Sequence, residues 1–426
     1  MSDRDLTSLL REHASNLVPG AAIGILRDGE VTIAYYGVAD TTTGEPVTSD
    51  TRFAIGSLGK SMGATVVTLL AEAGRLSLDD TVETYVPELR GAGWAGEATI
   101  RDLLANRSRV PLSVASEFSS WPDDDAGVLS RVAARISPCE PTPPLWSYTN
   151  AGWCLLGRAM ETLTGCTWEE VMQANLLLPV GMAQTSFTTW PKAVPRASGH
   201  EVTGEGVAPV AAWAPRNLGP AGSTLQSTVE DLLRFAGMHL SEPCLALLRQ
   251  TQAEVRIHSW LDAWCLGWGR FDWDGGPVWG WDGLTSGQRS ILRIVPEQRG
   301  AIALLTNSDK GRVVYRSMFP GLMREWFGIG MPPLRLEPAA GAAGDLSRFA
   351  GVYAWPDRRW EVAATGTGLL MTGARGTIEA QPLDGSTFLV DAEEPDTPTM
   401  AFGAFDDSGR PGALYQMLWA LPRVLT

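Results

Sequence analysis

The sequence of 426 residues predicts a mixed α/β (α+β) protein, in which an antiparallel sheet is combined with helices and followed by a small all-β domain. Three observations predict this class. Runs rich in β-forming residues lie at 21–36 and again at 267–306, and a helical, loop-rich stretch separates them. From about residue 345 onward, short alternating runs and turn residues follow one another, which is typical of an all-β unit.

The early strands are predicted at 21–26 and 31–36. Asp28 and Gly29 lie between them, and an Asp-Gly pair favours the tight turn of a hairpin. A short amphipathic helix is predicted before the first strand, around Leu9. The sheet is therefore expected to begin with an antiparallel pair.

The next predicted element is a buried helix that begins near Ser57 and carries the apolar segment 62–70. At the start of a helix the Ser57 hydroxyl lies at the positive end of the macrodipole, and Lys60 lies one turn later on the same face. A lysine in an apolar pocket can accept the proton of a neighbouring serine and make it a nucleophile. The alternative is a capping serine followed by a solvated lysine, so the rest of the sequence has to decide.

The middle of the chain, from Leu78 to about Leu261, is predicted to be an insertion rich in helices and loops. Its helices are predicted at 100–104, 153–163, 168–177 and 229–239. Strands return at 267–271, 290–295 and 301–306, and a closing helix is predicted at 313–326.

The composition changes after residue 330, where Pro, Ala and Gly become frequent, as in a linker. We therefore predict a first domain at 1–330, which contains a helical subdomain at about 80–260. A linker is predicted at 331–344 and a C-terminal β-domain at 345–426.

The composition excludes several classes of function. The net charge of −14 disfavours nucleic acid and anionic membrane surfaces as partners, because neither attracts an acidic protein. The five cysteines have no C-x-x-C spacing and the four histidines follow no pattern, so neither a disulfide framework nor a zinc site is expected. No secretory segment or membrane span is visible, which predicts a cytoplasmic protein, and no cofactor or metal is expected.

Two further motifs bear on the chemistry. Tyr148 and Asn150 lie two residues apart just before a predicted helix, where a phenol and a carboxamide could face one pocket. The alternative is a core tyrosine and a helix-capping asparagine. The run 280–283 reads Gly-Trp-Asp-Gly, and glycines there would let backbone N–H groups approach a ligand closely.

Taken in order, these motifs resemble those of the serine β-lactamase and penicillin-binding-protein superfamily, in its class C-like branch of esterases, D-amino acid peptidases and acyl transferases. The matching motifs are Ser57-x-x-Lys60, Tyr148-x-Asn150, and Trp281-x-Gly283 where the family usually has Lys-Thr-Gly or His-x-Gly. The resemblance covers about residues 15–328, and the phrase Gly-Pro-Ala-Gly at 219–222 agrees with it. The tail from residue 349 resembles the lipocalin-like β-domain often appended to such proteins.

The resemblance implies a role for each matching residue. Ser57 attacks a carbonyl, and Lys60 and Tyr148 move its proton. Asn150 holds Lys60 and the substrate. The backbone N–H groups of Ser57 and Leu284 form the oxyanion hole. The implied fold is an antiparallel sheet with helices on both faces, and a helical subdomain lies over the site.

The sequence departs from the family pattern in two places. Residues 103–111 read Leu-Leu-Ala-Asn-Arg-Ser-Arg-Val-Pro where relatives have Leu-Leu-x-His-x-Ser-Gly-Leu-Pro, which puts the shape of that loop in doubt. Trp281 lies where members that recognise a substrate carboxylate commonly have a cation, and an indole offers only an apolar face and one N–H donor. Trp281 therefore favours a neutral ester over a β-lactam or a peptide carboxylate, and family VIII esterases also carry Trp-x-Gly.

Two other classes of protein fit the sequence less well. A Ser/His/Asp hydrolase is disfavoured because the residues around Ser57 miss the G-x-S-x-G spacing. A non-catalytic ligand-binding homologue is disfavoured by the intact Ser, Lys and Tyr. Four tryptophans could wall an apolar acyl pocket, namely Trp146, Trp213, Trp279 and Trp281.

The predicted function is that of a serine acyl-enzyme transacylase or esterase acting on a small neutral ester. A transacylase would pass the acyl group to an amine and form an amide, as in antibiotic or other secondary-metabolite biosynthesis. A plain carboxylesterase and a D-amino acid peptidase or peptide cyclase are the alternatives.

Overall fold

The computed structural model of the chain describes residues 3–14, 16–110, 127–136, 145–189, 194–257, 261–332, 345–355, 358–390 and 399–424. Its helices are α1 (Asp3–Ala14), α2 (Gly59–Glu72), α3 (Val82–Tyr85), α4 (Ile100–Leu104), α5 (Val128–Ile136), α6 (Asn150–Thr164), α7 (Trp168–Met172), α8 (Leu178–Val180), α9 (Val229–Ser241) and α10 (Arg312–Phe327).

The strands of the first part of the chain are β1 (Gly20–Arg27), β2 (Glu30–Gly37), β3 (Phe53–Ala54), β4 (Ser186–Phe187), β5 (His200–Thr203), β6 (Gly206–Pro209), β7 (Leu225–Ser227), β8 (Ala253–Ile257), β9 (Leu261–Trp264), β10 (Gly269–Trp273), β11 (Gly276–Thr285), β12 (Gln288–Val295) and β13 (Gly300–Thr306). Those that follow are β14 (Gly351–Trp355), β15 (Arg358–Ala364), β16 (Leu369–Gly373), β17 (Gly376–Pro382), β18 (Thr387–Leu389), β19 (Thr399–Phe405), β20 (Pro411–Gln416) and β21 (Trp419–Pro422).

An antiparallel sheet of eight strands forms the centre of the first part of the chain, in the order β2-β1-β13-β12-β11-β10-β9-β8. Asp28 (φ 51°) and Gly29 (φ 88°) make the turn between β1 and β2, and positive φ at both positions is typical of a two-residue hairpin loop. β1 also pairs with β13, so the early and late strands belong to one sheet. The predicted α+β class is confirmed.

Helices cover both faces of this sheet. Gly24 of β1 faces α9, because a Cβ there would lie 2.8 Å from Leu233 Cδ1. Gly24 and Leu292 both pair with Ala303 of β13 and so share that face. The next residue of β12, Arg293, faces the opposite side and donates to the hydroxyl of Tyr315 in α10. The sheet therefore lies between α9 and α10.

Two sequence-based expectations about strands need correction. Five strands, β4 to β8, lie inside the stretch that was expected to be helical and loop-rich. The run 280–283 lay outside the predicted strands, before the pair at 290–295 and 301–306, but it belongs to β11, a strand of ten residues hydrogen-bonded to β10 and β12. Composition does not predict β11 as a strand, because glycine is depleted in strands. Its pairing is instead decided by the neighbouring strands β10 and β12.

The last part of the chain forms a second sheet of eight strands, β14 to β21 in chain order. A bridge between Tyr353 and Arg423 joins its two ends, so the sheet is nearly closed into a barrel. Its interior has an apolar core of its own that includes Phe349, Phe388 and Phe402. This all-β unit is the small β-domain that was predicted. Most of the predicted linker, residues 333–344, lies outside the described residues.

None of the helices in the described ranges has the length and apolarity needed to cross a membrane. Cys154, Cys166, Cys244 and Cys265 are free thiols, and Cys139 lies outside the described residues.

A buried histidine joins α9 to α2. His239 Nε2 lies 2.9 Å from the hydroxyl of Thr65, and the ring packs against Phe235 and Trp268 with centroids 4.7 Å away in each case. Burial, together with the charge of Arg249, lowers the pKa of His239 to about 3. The folded protein therefore holds this side chain neutral.

His239 should make folding stability depend on pH. Below about pH 6.5 the unfolded chain binds a proton at this histidine that the folded chain does not bind, so stability falls as the pH falls from 6.5 towards 3. Between about pH 7.5 and pH 5 the loss from this group is about 2 kcal/mol. Urea titrations at both pH values should show a smaller loss in His239→Gln than in the wild type. Equal losses would show that His239 does not titrate this way.

Candidate active site

Ser57 lies on a tight turn between β3 and α2. Residues Gly56–Leu58 form a single 3-10 turn that runs directly into α2, and Leu58 is fully buried. Gly56 has φ 51°, a conformation that costs glycine little. A Cβ on Gly222 would lie 1.9 Å from the carbonyl oxygen of Gly56, so the two backbones touch here. This contact fixes the turn that presents the Ser57 hydroxyl.

Lys60 lies one turn into the helix and is fully buried. Its Nζ donates to Ser57 Oγ at 3.0 Å and to the carbonyl oxygen of Ala221 at 2.8 Å. It also lies 4.9 Å from the centroid of the Tyr148 ring. These partners are all neutral, so the amine is placed to exchange a proton with Ser57 and not to balance a carboxylate.

Tyr148 lies in an irregular segment just before α6. Its hydroxyl oxygen accepts a hydrogen bond from Trp281 Nε1 at 3.3 Å, and the two rings are 5.4 Å apart. A phenol can accept and donate at once. Because the indole N–H occupies the oxygen as a donor, the phenol's own hydrogen is available for a second acceptor.

Strand β11 brings Trp281, Gly283 and Leu284 beside the Ser57 turn. A Cβ on Gly283 would lie 1.8 Å from the carbonyl oxygen of Ile55, so a side chain at this position would push the strand away. The backbone nitrogen of Leu284 lies 3.0 Å from the position that a Cβ on Gly56 would take. Leu284 is 54 % exposed.

A buried ion pair holds the opposite face of β11. Arg293 is 2 % exposed and its Nη1 lies 2.6 Å from Asp282 Oδ1. Its guanidinium also stacks over Phe271, 4.3 Å from the ring centroid. A Cβ on Gly280 would lie 2.9 Å from Arg293 Cδ, so the glycine makes room for the arginine. The nearest charges on this strand thus face away from Tyr148 and are paired.

The structure brings together Ser57, Lys60, Tyr148, Trp281 and the backbone of Leu284. Asn150 is not among the described hydrogen-bond partners of Lys60. Asn150 is the first residue of α6 and is partly buried. The described hydrogen bonds of Lys60 Nζ go to Ser57 and Ala221. The role expected for Asn150, that of holding Lys60 and the substrate, stays a prediction.

Sequence reasoning missed two residues that shape the site. Ala221 belongs to the Gly-Pro-Ala-Gly phrase at 219–222, which was noted as a flanking match but not as a lysine partner. Asn106 lies in the run 103–111 that departs from the expected family pattern, and it adopts φ 54°. Its side-chain oxygen accepts from Trp153 Nε1 at 3.1 Å, and its carbonyl oxygen accepts from the Ser147 backbone at 2.9 Å.

An aromatic cluster lines the site behind Tyr148. Trp264 joins its members, with its ring centroid 4.6 Å from that of Trp281 and 6.1 Å from that of Trp146. All three indoles are at most 4 % exposed. Of the other tryptophans expected in an acyl pocket, Trp213 is 48 % exposed, and Trp279 donates to the carbonyl oxygen of Arg249.

Within the part of the chain that the structure describes, no group of three or more His, Cys, Asp or Glu side chains is arranged to hold a metal ion. His200 is buried and contacts Thr41 and the carbonyl oxygen of Asn307, and His239 contacts Thr65. The described contacts of both histidines are therefore with residues other than Ser57.

Comparison with known proteins agrees with this geometry. A family model described as Beta-lactamase matches residues 6–320. Penicillin-binding protein 4 of Amycolatopsis lactamdurans is 33 % identical over 359 residues, which is 79 % of this chain and 93 % of that relative. The crystal structure of SurE has a TM-score of 0.83 at 27 % identity and covers 99 % of both chains, and that of SurE with D-Leu has a TM-score of 0.80 at 26 % identity with the same coverage. The chain belongs to the class C-like part of the β-lactamase and penicillin-binding-protein superfamily of serine hydrolases.

Proposed function

We propose that the protein is a serine acyltransferase that takes an acyl group from a neutral ester and passes it to an amine. The observation that carries the proposal is the contact between Lys60 Nζ and Ser57 Oγ, buried and surrounded by neutral partners. A lysine with no carboxylate among its described partners can act as the base for the serine.

In the first half-reaction, the Lys60 amine takes the Ser57 proton while Oγ forms a bond to the ester carbonyl carbon. The carbonyl oxygen becomes an oxyanion, which the backbone N–H groups of Ser57 and Leu284 stabilise. The intermediate then collapses and the bond to the alcohol oxygen breaks. The departing alcohol oxygen receives a proton from Tyr148, and Lys60 passes its own proton to Tyr148 in turn. Ser57 is left as an acyl ester.

In the second half-reaction, the nitrogen of an amine attacks the carbonyl carbon of the acyl-enzyme. Tyr148 and Lys60 accept the proton that the nitrogen loses, and Ser57 Oγ leaves and recovers a proton from Lys60. The products are an amide and the free enzyme. Water attacking in place of the amine would give a carboxylic acid, which is the esterase reaction.

Trp281 supports the choice of a neutral ester. Its only polar atom, Nε1, already donates to Tyr148. The nearest cation on the neighbouring strand, Arg293, faces the other side of the sheet and is paired with Asp282. This motif therefore offers no positive charge to a substrate carboxylate, which favours esters over β-lactams and peptides with a free terminus.

The aromatic cluster supports acyl transfer over hydrolysis. Trp146, Trp264 and Trp281 are almost completely buried behind Tyr148, and apolar walls disfavour water near the acyl-enzyme.

A second candidate is a D-amino acid peptidase or peptide cyclase. The similarity to SurE with D-Leu, which extends over the whole chain including the C-terminal β-domain, favours it. A cyclase would use the same acyl-enzyme and take the amine from the far end of the acyl group itself.

The acyl-enzyme should form at Ser57. Intact-mass spectra after incubation with a fluorophosphonate or with p-nitrophenyl acetate should show one adduct, and peptide mapping should place it on Ser57. Ser57→Ala should show none, and Ser61→Ala, which changes a buried serine one turn later in α2, should still be labelled. Labelling at another residue would contradict the assignment, and no labelling would favour a ligand-binding homologue.

The acceptor can be identified by product analysis. We expect a methyl ester offered with a panel of amines, D-leucine among them, to give amide faster than acid. Acid alone would indicate an esterase. Efficient hydrolysis of a β-lactam would show that Trp281 does not exclude carboxylate substrates.

The indole N–H of Trp281 should assist acylation. Trp281→Phe keeps a ring against Tyr148 and removes the donor, so the rate of Ser57 acylation by p-nitrophenyl acetate should fall about fivefold, the effect of one hydrogen bond of about 1 kcal/mol. The matched control is Trp279→Phe on the same strand, whose N–H donates to Arg249. A control that loses as much rate would mean that the effect is one of strand packing.

A further inference from the structure

The hairpin between β20 and β21 reaches from the C-terminal β-domain to the catalytic tyrosine. Gln416 pairs with Trp419 across a two-residue turn of Met417 and Leu418. The carbonyl oxygen of Leu418 accepts from the Tyr148 backbone N–H at 2.9 Å. Two residues later, the backbone N–H of Ala420 donates to Ser147 Oγ at 3.2 Å.

Apolar contacts accompany these hydrogen bonds. Leu418, Ala420 and Tyr415 are buried in the apolar core that contains the catalytic helix, and not in the core of their own β-domain. The Tyr415 ring lies 6.0 Å from that of Trp146, at the edge of the aromatic cluster. The hairpin is therefore packed into the first domain as one of its own elements would be.

The segment that carries Tyr148 depends on contacts from both sides. Residues 146–148 are neither helix nor strand. The backbone N–H of Ser147 donates to Asn106 in the first domain, and that of Tyr148 donates to Leu418 in the second. The segment makes no hydrogen bonds of a regular helix or strand, so these two bonds fix the position of the Tyr148 backbone, from which the side chain extends.

The turn itself is strained. Met417 has φ 56°, a conformation that costs a residue with a side chain about 1 kcal/mol. Such strain persists where surrounding contacts hold it, and it is concentrated at functional sites. Here the contacts that hold it are those to Ser147 and Tyr148.

We propose that the turn Gln416–Trp419 is a positioning element for Tyr148, so that the C-terminal β-domain is part of the catalytic apparatus. The inference rests on the proposed acyl-enzyme chemistry, in which the Tyr148 hydroxyl must lie within hydrogen-bond reach of the reacting oxygen. A displacement of about 1 Å at such a group can lower a rate about 100-fold.

The test compares two leucines on the same hairpin. Leu418→Ala removes the side chain that packs the turn beside Tyr148, and Leu421→Ala removes an equally apolar side chain from the β-domain's own core. In the full-length protein, Leu418→Ala should lower the rate of Ser57 acylation by p-nitrophenyl acetate about 10- to 100-fold with little change in KM. Leu421→Ala should acylate close to the wild-type rate at a temperature where it is folded.

A second variant removes a hydrogen bond and leaves the side chains of the turn in place. Ser147→Ala lacks the hydroxyl oxygen that accepts from the Ala420 backbone N–H, and it keeps the backbone N–H that donates to Asn106. If Leu418→Ala does not fold, Ser147→Ala supplies the measurement, with the same direction expected.

A Tyr148→Phe background separates positioning from a general structural effect. If the turn acts through the Tyr148 hydroxyl, Leu418→Ala should cause no further loss in Tyr148→Phe, because the group being positioned is already gone. An equal further loss, or wild-type acylation in Leu418→Ala and Ser147→Ala, would overturn the inference while the serine chemistry stands. A wild-type protein with no adduct at Ser57 would instead overturn the proposed function, and this inference with it.

Discussion

The close approach of strand β11 to the Ser57 turn is the constraint on which the site depends. Gly283 meets the Ile55 carbonyl and Gly222 meets that of Gly56, each at a distance that leaves no room for a Cβ, and a Cβ on Gly56 would be in tight contact with the backbone of Leu284. These contacts bring the backbone of Leu284 beside the turn that carries Ser57. Because the glycines lie on three separate elements, a small shift of one element would open the whole site.

Inside this frame the polar groups are few, and their described partners are residues of the site itself. Lys60 is shared between Ser57 and Ala221, and Tyr148 accepts from Trp281. The charged pair of Arg293 and Asp282 holds the far face of the same strand. The charges of this ion pair therefore lie on the side of the sheet away from Tyr148.

The two domains meet at the segment 146–148. Asn106 holds it from the first domain and Leu418 from the second, and the ring of Tyr415 packs against Trp146. The similarity to SurE covers both domains, whereas the family model ends at residue 320. The C-terminal barrel thus packs directly against the segment that carries Tyr148.

The sequence by itself determined the elements whose signals are local. The helical spacing of Ser57 and Lys60, the Asp28–Gly29 turn and the alternating C-terminal strands each follow from the preferences of neighbouring residues. Only the tertiary structure decided that the glycine-rich residues of β11 form a strand, that Ala221 accepts from Lys60, and that Leu418 holds Tyr148. The physical reason is that these features are backbone contacts between segments far apart in the chain. Every residue has a backbone carbonyl and all but proline have an N–H, so the residue type does not reveal which of these groups makes such a contact.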